Sequence, residues 1–275
     1  MLEQLIYKNH MNEVFEFGKD GIFVDHNDLH DYEWAVTSKG NRISGINKAV
    51  QKRKLPVTII CPTEEQSVAA KNRLFEVVEK DVLAMQHGQI ILGGYYFKCF
   101  VTKSAKKEYL TSKRHMVVEL TLHTDFPFWV KETTTSFGTT GTAAEGQLYL
   151  DYSTDYPIDY FCDMAIKPVV NNGFVASDFR LVIHGACVNP SVNIADHIYQ
   201  VNCIVGENEH LTIDSSAKKI YLTSQDGVVT NQFNNRYRTS YIFEKIPTGQ
   251  NTVLWNGDFG FDIILLEERS EPKWT

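Results

Sequence analysis

The amino-acid sequence predicts a mainly β protein of two domains, with a single α-helix in the first domain. Three observations support this prediction. Short apolar runs with a period of two recur along the chain, and Gly, Asn, Asp and Pro turns separate them. Only residues 64–85 keep a helical period. The charge also changes along the chain, since residues 1–130 carry 17 Lys and Arg against 16 Asp and Glu, whereas residues 131–275 carry 10 against 18.

Size and composition exclude several classes of protein. The chain has 275 residues, of which 43% are hydrophobic, so it is able to bury a core without a metal or a disulfide as a staple. Its apolar runs are far shorter than the ~18 residues that span a membrane. The first residues lack the basic and apolar regions of a signal peptide, which predicts synthesis in a cytoplasm. Five cysteines without a close pair argue against a disulfide framework.

The one predicted helix begins after Pro62 and runs over residues 64–85. Thr63 and Gln66 form a capping box at its start, and two glutamates follow the cap at the positive end of the helix dipole. Its apolar stripe consists of Val68, Leu74, Phe75, Val78 and Val82. The strand period predicts strands around this helix at residues 14–17, 57–61, 89–92, 95–102 and 116–124.

A strand pair within residues 32–57 is predicted to project as an arm. A short strand around Trp34 is followed by a polar turn at residues 38–41 and by a basic stretch at residues 48–54. An isolated hairpin is marginally stable in water, so such an arm needs a partner surface to become ordered. The candidate contact residues of the arm are Trp34, Asn41, Arg42, Lys48 and Lys52.

A threonine- and glycine-rich stretch without Lys or Arg, residues 132–146, is predicted to link the two domains. The expected boundaries are therefore 1–131 for the first domain, 132–146 for the linker and 147–275 for the second domain. The second domain is predicted to be an all-β sandwich, with strands at residues 146–150, 179–185, 197–203, 219–222, 241–243, 251–255 and 259–266. The last of these is expected to be central and covered on both faces.

No catalytic, metal-binding or cofactor-binding residue is predicted. Residues 25–31 hold two His and three Asp, which are metal-ligand types, but a single loop without fixed supporting partners makes a weak site. This loop is the only feature of the sequence that supports a third possible function, that of a metal-dependent hydrolase. Cys162 with His184 or His197 would make a nucleophile and base only if the fold brought them together. The Asp258-Phe259-Gly260 tripeptide lacks the companion motifs of a kinase.

Tyrosines between residues 149 and 160 are compatible with two different roles. Rings such as Tyr156 and Tyr160 next to carboxylates are typical of sugar-stacking surfaces, and they are equally typical of packing at the start of a strand or at a protein contact. A carbohydrate-binding accessory module is therefore the alternative function. The acidic excess of this half disfavours anionic polymers and favours basic or aromatic protein partners. The chain lacks the basic excess that a general nucleic-acid binder needs to neutralise phosphates.

The chain resembles the distal tail proteins (Dit) of siphophages that infect Gram-positive bacteria. The resemblance covers the whole chain and rests on the order of its features. These are the capped helix, Phe126-Pro127-Phe128-Trp129 at a strand end, Asp155-Tyr156-Pro157-Ile158-Asp159-Tyr160, and a terminal stretch from Ile246 through Trp255 to Glu267-Glu268-Arg269-Ser270-Glu271-Pro272-Lys273-Trp274.

The resemblance implies a structural protein of the virion, not an enzyme. In that family six N-terminal β-sandwich or split-barrel domains form a ring at the tip of the tail tube. A protruding hairpin embraces the neighbouring subunit, and a galectin-like β-sandwich lies at the periphery. The implied partners are the chain itself as a homo-hexamer, the major tail tube protein, and a receptor-binding or lysin protein. Phage DNA would pass through the lumen without sequence-specific contact, and no membrane or cofactor is implied. The arm would lie within residues 32–54.

Overall fold

A computed structural model of the chain describes residues 4–107, 113–139 and 168–274. They form two compact units, an N-terminal unit of Met1–Lys131 with Glu268–Thr275 and a C-terminal unit of Glu132–Glu267. Both units consist mainly of antiparallel strands, and the one long helix of the described residues lies in the N-terminal unit. The predicted mainly β fold class is therefore confirmed.

The predicted linker differs from the structure. Residues 132–137 continue a strand that begins at Trp129, because threonine, branched at Cβ, fits an extended backbone well. Residues 140–146 of the predicted linker lie outside the described residues. The last eight residues belong to the N-terminal unit, whereas the sequence assigned them to the second domain.

Among its described residues, the N-terminal unit contains one helix, α1, and the strands that precede the second unit. The elements are β1 (Leu5–Lys8), β2 (Val14–Glu16), β3 (Ile22–Val24), β4 (Ala35–Lys39), β5 (Arg42–Asn47), β6 (Gln51–Ile60), α1 (Glu64–Ala84), β7 (Gly88–Leu92), β8 (Tyr95–Lys106), β9 (His115–Thr124) and β10 (Trp129–Phe137).

Strand β8 belongs to two layers of the N-terminal unit. Its first half pairs with β7 and β10, in the order β10-β8-β7-β1-β2, and its second half pairs with β9, in the order β3-β6-β9-β8. An irregularity between Val101 and Lys103 shifts the register where the two halves meet, and such a shift allows a strand to bend. Helix α1 packs on β6 and β8, and the core is filled by residues such as Phe97 and Trp129.

Helix α1 confirms the predicted cap and most of the predicted length. The side-chain oxygen of Thr63 accepts a hydrogen bond from the backbone N–H of Gln66 at 3.2 Å, and Met85 ends the helix with a φ of 51°. The buried face differs from the predicted stripe, because Val68 is 49% exposed. The buried residues are Ser67, Ala70, Leu74, Val77, Val78 and Asp81.

Removing the helix cap is expected to lower stability modestly. In Thr63→Ala the N–H of Gln66 loses its acceptor, which costs about 1 kcal/mol of unfolding free energy. Thr63→Ser keeps the hydroxyl and should remain within about 0.5 kcal/mol of the wild type. Urea unfolding of both variants measures this difference, and equal losses in the two variants would contradict the role of the cap.

The C-terminal unit contains twelve strands beyond β10 among the described residues, together with a short 3-10 turn at Phe233–Asn235. The strands are β11 (Val169–Asn171), β12 (Asp178–His184), β13 (Cys187–Val188), β14 (Ser191–Ile194), β15 (His197–Gln200), β16 (Ile204–Val205), β17 (His210–Asp214), β18 (Lys219–Thr223), β19 (Val229–Asn231), β20 (Gly249–Asn251), β21 (Val253–Leu254) and a twelfth element, β22 (Phe261–Arg269), in which the chain returns to the N-terminal unit.

One large sheet of the C-terminal unit has the order β19-β18-β17-β12-β22, and smaller sheets of two or three strands accompany it. Side chains of both sets, such as Phe179 and Val192, share one core, which makes this unit a β-sandwich. Strand β22 is central as predicted, between β12 and β10. On the face opposite Phe261, Ile263 and Leu265, its Leu266 is buried and its Ile264 is partly exposed. The predicted strand at residues 241–243 is a turn.

Candidate functional site

The most exposed element of the N-terminal unit is the hairpin of β4 and β5, which we call the arm. Its two strands form a separate two-stranded sheet, and every residue in both strands is exposed. The turn lies at residues 40 and 41, and Gly40 supplies the φ of +62° that such a tight turn needs. A hairpin is therefore present at residues 35–47, inside the stretch in which the sequence placed the arm.

Apolar side chains of the arm are open to solvent. Val36 and Ile46 lie directly opposite each other and are each 58% exposed, and Ile43 is 66% exposed. Burying a β-branched aliphatic side chain stabilises an association by about 1.5–3 kcal/mol. A two-stranded hairpin without such burial is marginal in water, so the arm has the properties of a contact surface.

The tip of the arm is basic. Lys39 and Arg42 are direct cross-strand partners on either side of the Gly40-Asn41 turn. Like charges opposite each other destabilise a hairpin. Neither side chain forms an ion pair within the described part of the chain, so the tip is suited to an acidic partner.

Lys48 fixes the base of the arm. Its Nζ donates a hydrogen bond to the backbone oxygen of Pro127 at 2.8 Å, and it lies 5.0 Å from the ring of Trp34 and 4.3 Å from the ring of Phe128. Tyr32 completes the cage at 5.9 Å. Cation–π contacts hold a partly buried ammonium group in place, so the cage sets the direction in which the arm leaves the unit.

The Lys48 cage predicts a dependence of stability on pH. Burial lowers the pKa of Lys48 to about 8, and the charge of Arg53 acts in the same direction. In the unfolded chain the pKa of a lysine is about 10.4. Between pH 8 and 10 the unfolded state therefore binds more protons than the folded state, so this group makes the stability rise with pH in that range.

The measurement compares wild type with Lys48→Met by urea unfolding at pH 7.5 and pH 9.5. Other titrating groups cancel in the difference between the two proteins. The wild type should gain stability relative to the variant at the higher pH. A difference that does not change with pH, or one that changes in the opposite sense, would show that the ammonium group of Lys48 is not desolvated in this cage.

Lys52, predicted as an arm residue, lies instead on β6 in the body of the unit. Strand β6 is hydrogen-bonded to both β3 and β9, and Lys52 pairs with His123 of β9. The neighbouring Arg53 is buried, and its guanidinium donates to the backbone oxygens of Asp28 and Leu29. The basic run at residues 48–54 is thus divided between the arm base and a body strand.

An acidic cleft of about 770 Å³ lies in the N-terminal unit beside the start of the arm. Its carboxylates come from Asp28, Asp31, Glu33 and Glu271, and its cations are Lys52 and the buried Arg53. The carboxylate of Asp28 accepts from the backbone N–H of Lys54 at 2.9 Å. Carboxylates outnumber cations in the lining, which makes the cleft complementary in charge to the basic tip of the arm.

The loop at residues 25–31 holds no metal cluster. Asp25 accepts a hydrogen bond from the Thr58 hydroxyl at 2.6 Å, Asn27 caps the N–H of Leu29, and His30 stacks on Trp274 with ring centroids 4.0 Å apart. Throughout residues 4–107, 113–139 and 168–274, no three His, Cys, Asp or Glu side chains are grouped to bind a metal ion. These side chains instead fasten the loop to the body of the unit.

The other predicted site residues are dispersed. His184 contacts Asp262 at 2.9 Å, and His197 contacts the backbone oxygen of Tyr241 at 2.9 Å. Cys162, Tyr156 and Tyr160 lie outside the described residues.

No helix in the described ranges has both the length and the apolar character to cross a membrane.

Sequence reasoning missed a buried polar network at the end of α1. The carboxylate of Asp81 accepts from the Tyr7 hydroxyl at 2.5 Å and from the backbone N–H of His10 at 2.8 Å, and it contacts His10 Nδ1 at 2.6 Å. Burial and the nearby Asp81 raise the pKa of Tyr7. The sequence contains a signal for this network, since Asp81 follows Leu74 by seven residues and therefore lies on the same, apolar face of the helix.

Comparison with solved structures finds a similar fold in proteins of two phages. The crystal structure of the SPP1 Dit protein (gp 19.1), described as a paradigm of the hub adsorption apparatus in phages that infect Gram-positive bacteria, matches with a TM-score of 0.59. The alignment covers 98% of this chain and 100% of that protein at 11% identity. No protein-family model matches the chain, and no curated protein does.

Two structures of the phage P2 baseplate in its activated conformation match as well. The form with Ca has a TM-score of 0.64 and 9% identity, and the form with Sr has a TM-score of 0.66 and 8% identity. Each alignment covers 99% of this chain and 100% of the matched chain. The predicted resemblance to distal tail proteins is therefore confirmed at the level of the fold.

Proposed function

We propose that this chain is a distal tail protein, a structural component of a phage tail tip that has no enzymatic activity. Its N-terminal units would assemble into a hexameric ring between the tail tube and the receptor-binding or lysin proteins, with DNA passing through the lumen. The likeness in fold to the SPP1 Dit protein and the P2 baseplate over nearly the whole chain supports this role. The virion is accordingly the proposed location.

The free-standing arm is the observation that carries the proposal. A hairpin whose strands are exposed along their whole length, with open Val36, Ile43 and Ile46, gains most of its stability only when another surface covers it. A head-to-tail contact repeats from one subunit to the next and closes into a ring when its rotation divides a full turn. The arm of one subunit on the body of the next is such a contact.

The acidic cleft is the proposed acceptor for the arm tip of the neighbouring subunit. Lys39 and Arg42 would approach Asp31 and Glu33 of the next copy, so each like-charged group gains an opposite partner. The apolar arm side chains would lie along the surface that leads to the cleft. This arrangement accounts for two otherwise unfavourable features, namely the paired cations at the tip and the cluster of carboxylates in the cleft.

The apolar face of the arm is tested by one triple variant. Val36→Ser/Ile43→Ser/Ile46→Ser removes the apolar contact without changing the charge, and it should shift the protein from rings to monomers in mass photometry. Its control, Val68→Ser/Leu83→Ser/Val175→Ser, changes three exposed apolar residues outside the arm and should still form rings. Equal ring formation by the two variants would contradict the role of the arm.

A further inference from the structure

Basic side chains of the C-terminal unit are gathered in one place, although this unit is strongly acidic. The sequence between Glu132 and Glu267 carries seven Lys and Arg against sixteen Asp and Glu. Four of the seven cations line two adjacent clefts of about 470 and 640 Å³, which share the ring of Phe233. These four are Lys218, Lys219, Arg236 and Arg238. Neither lining includes an Asp or a Glu.

These four cations differ from the other described cations of the unit in their partners. Arg180 contacts Glu132 at 2.7 Å and Asp214 at 3.7 Å, and Lys245 contacts Asp178 at 2.8 Å. Asp214 lies across the strand pair from Lys219, but within the described residues no carboxylate forms an ion pair with any of the four cations. Like charges close together repel one another, so the cluster is suited to an anionic ligand that carries more than one charge.

Aromatic rings alternate with these cations. Lys218 lies 5.7 Å from the ring of Tyr241 and 5.4 Å from the ring of Phe243, and Arg236 lies 4.1 Å from the ring of Phe233. Tyr241 is 57% exposed, so much of this side chain is accessible to a ligand. An open ring beside a cation can stack on the apolar face of a sugar while the cation contacts an acidic group of the same ligand.

We propose that the two clefts form one binding site for a sugar-phosphate polymer, in which sugar units are joined through phosphodiesters. We call this set of residues the basic-aromatic site. Phosphates would contact the four cations, and a sugar would stack on Tyr241. The choice of a sugar polymer rests on the proposed function, because a tail tip meets the polymers of a cell surface. Nucleic acid fits less well, since its affinity comes from many phosphate contacts and the unit around the site is acidic.

This site qualifies an expectation from the composition. The acidic excess of this half predicts repulsion of anionic polymers, and that holds for its average surface. The fold brings residues 218–219 at the start of β18 next to residues 233–243, which creates a local basic surface. A distant excess charge is screened within about 8–10 Å in physiological salt, so the local cations decide the contact.

The test measures binding of the full chain to four immobilised probes by biolayer interferometry. The probes are a hexose oligomer joined through phosphodiesters, the neutral oligomer of the same hexose, inorganic polyphosphate, and single-stranded dT20. The first probe should bind at least about tenfold more tightly than each of the others. Its affinity should fall about tenfold between 50 and 200 mM salt, as expected for about two phosphate contacts.

Variants then locate the site. Lys219→Ala/Arg238→Ala should weaken binding of the first probe at least tenfold, and Tyr241→Ala should weaken the sugar-phosphate oligomer more than polyphosphate. The control Lys103→Ala/Lys273→Ala removes the same charge from exposed positions of the N-terminal unit and should bind as the wild type does. Circular dichroism and thermal melts verify that each variant is folded.

Three outcomes would overturn the proposal. They are binding to none of the probes, equal weakening by the control variant, and tighter binding of dT20, which would make this a nucleic-acid site. Ring formation measured on the same variants separates this proposal from the proposed function. A variant that loses oligomer binding but still forms rings would show that the change affects only the basic-aromatic site. A wild-type protein that binds the oligomer but forms no rings would contradict only the proposed assembly.

Discussion

Asp81→Ala is expected to lower the unfolding free energy of the N-terminal unit by about 3–5 kcal/mol. The side chain of Asp81 is fully buried, and its carboxylate satisfies the Tyr7 hydroxyl, the His10 backbone N–H and the His10 ring. Alanine leaves these groups without a partner, and each buried unsatisfied group costs about 1–3 kcal/mol.

The measurement is urea unfolding of the full chain, with Glu79→Ala as the matched control. Glu79 is an exposed carboxylate on the same helix, so its loss should change stability by less than about 0.5 kcal/mol. Asp81→Asn keeps the shape and one acceptor oxygen, and we expect an intermediate loss. Equal stability of the two alanine variants would show that the network around Asp81 does not hold the helix to the sheet.

Reversing the charge of the arm tip is expected to weaken assembly at least about tenfold. In Lys39→Glu/Arg42→Glu the tip would face the carboxylates of the acidic cleft, and like charges at a contact oppose binding. Asp31→Lys/Glu33→Lys should have the same effect from the other side. The two pairs of substitutions combined in one chain restore opposite charges, so rings should return.

Each charge variant remains folded if the reversal acts on assembly alone, and thermal melting verifies this. Mass photometry across a series of concentrations gives the fraction of chains in rings. Each single reversal should raise the concentration needed for rings at least about tenfold, equivalent to ~1.4 kcal/mol. A combined variant that stays monomeric would place the arm tip against a surface other than the acidic cleft.

Local signals predicted the elements that depend on neighbouring residues. The cap of α1 could be read from Thr63 and Gln66 because both lie within one turn, and the arm could be read from a polar turn between short strands. The apolar face of α1 was placed too far towards Val68, because the sequence does not state which side of an amphipathic helix meets the sheet. The tertiary packing chose the face with Leu74 and Asp81.

Contacts between distant residues could not be predicted in the same way. Lys52 and Arg53 looked like exposed charges, but pairing of β6 on both sides places one on the body surface and buries the other. The basic-aromatic site joins residues 218–219 to residues 233–243, which are separated by strands β18 and β19. Such groupings follow from the sheet order, which composition does not determine.

The most direct test of the central claim is the particle formed by the pure protein, seen by negative-stain microscopy and weighed by mass photometry. The full chain, alone at high concentration or with its cognate tube protein, should form rings of six subunits. A chain whose residues 36–46 are replaced by a short Gly-Ser linker should remain folded and monomeric. A full chain that stays monomeric under both conditions, or rings that form equally well without the arm, would contradict the account.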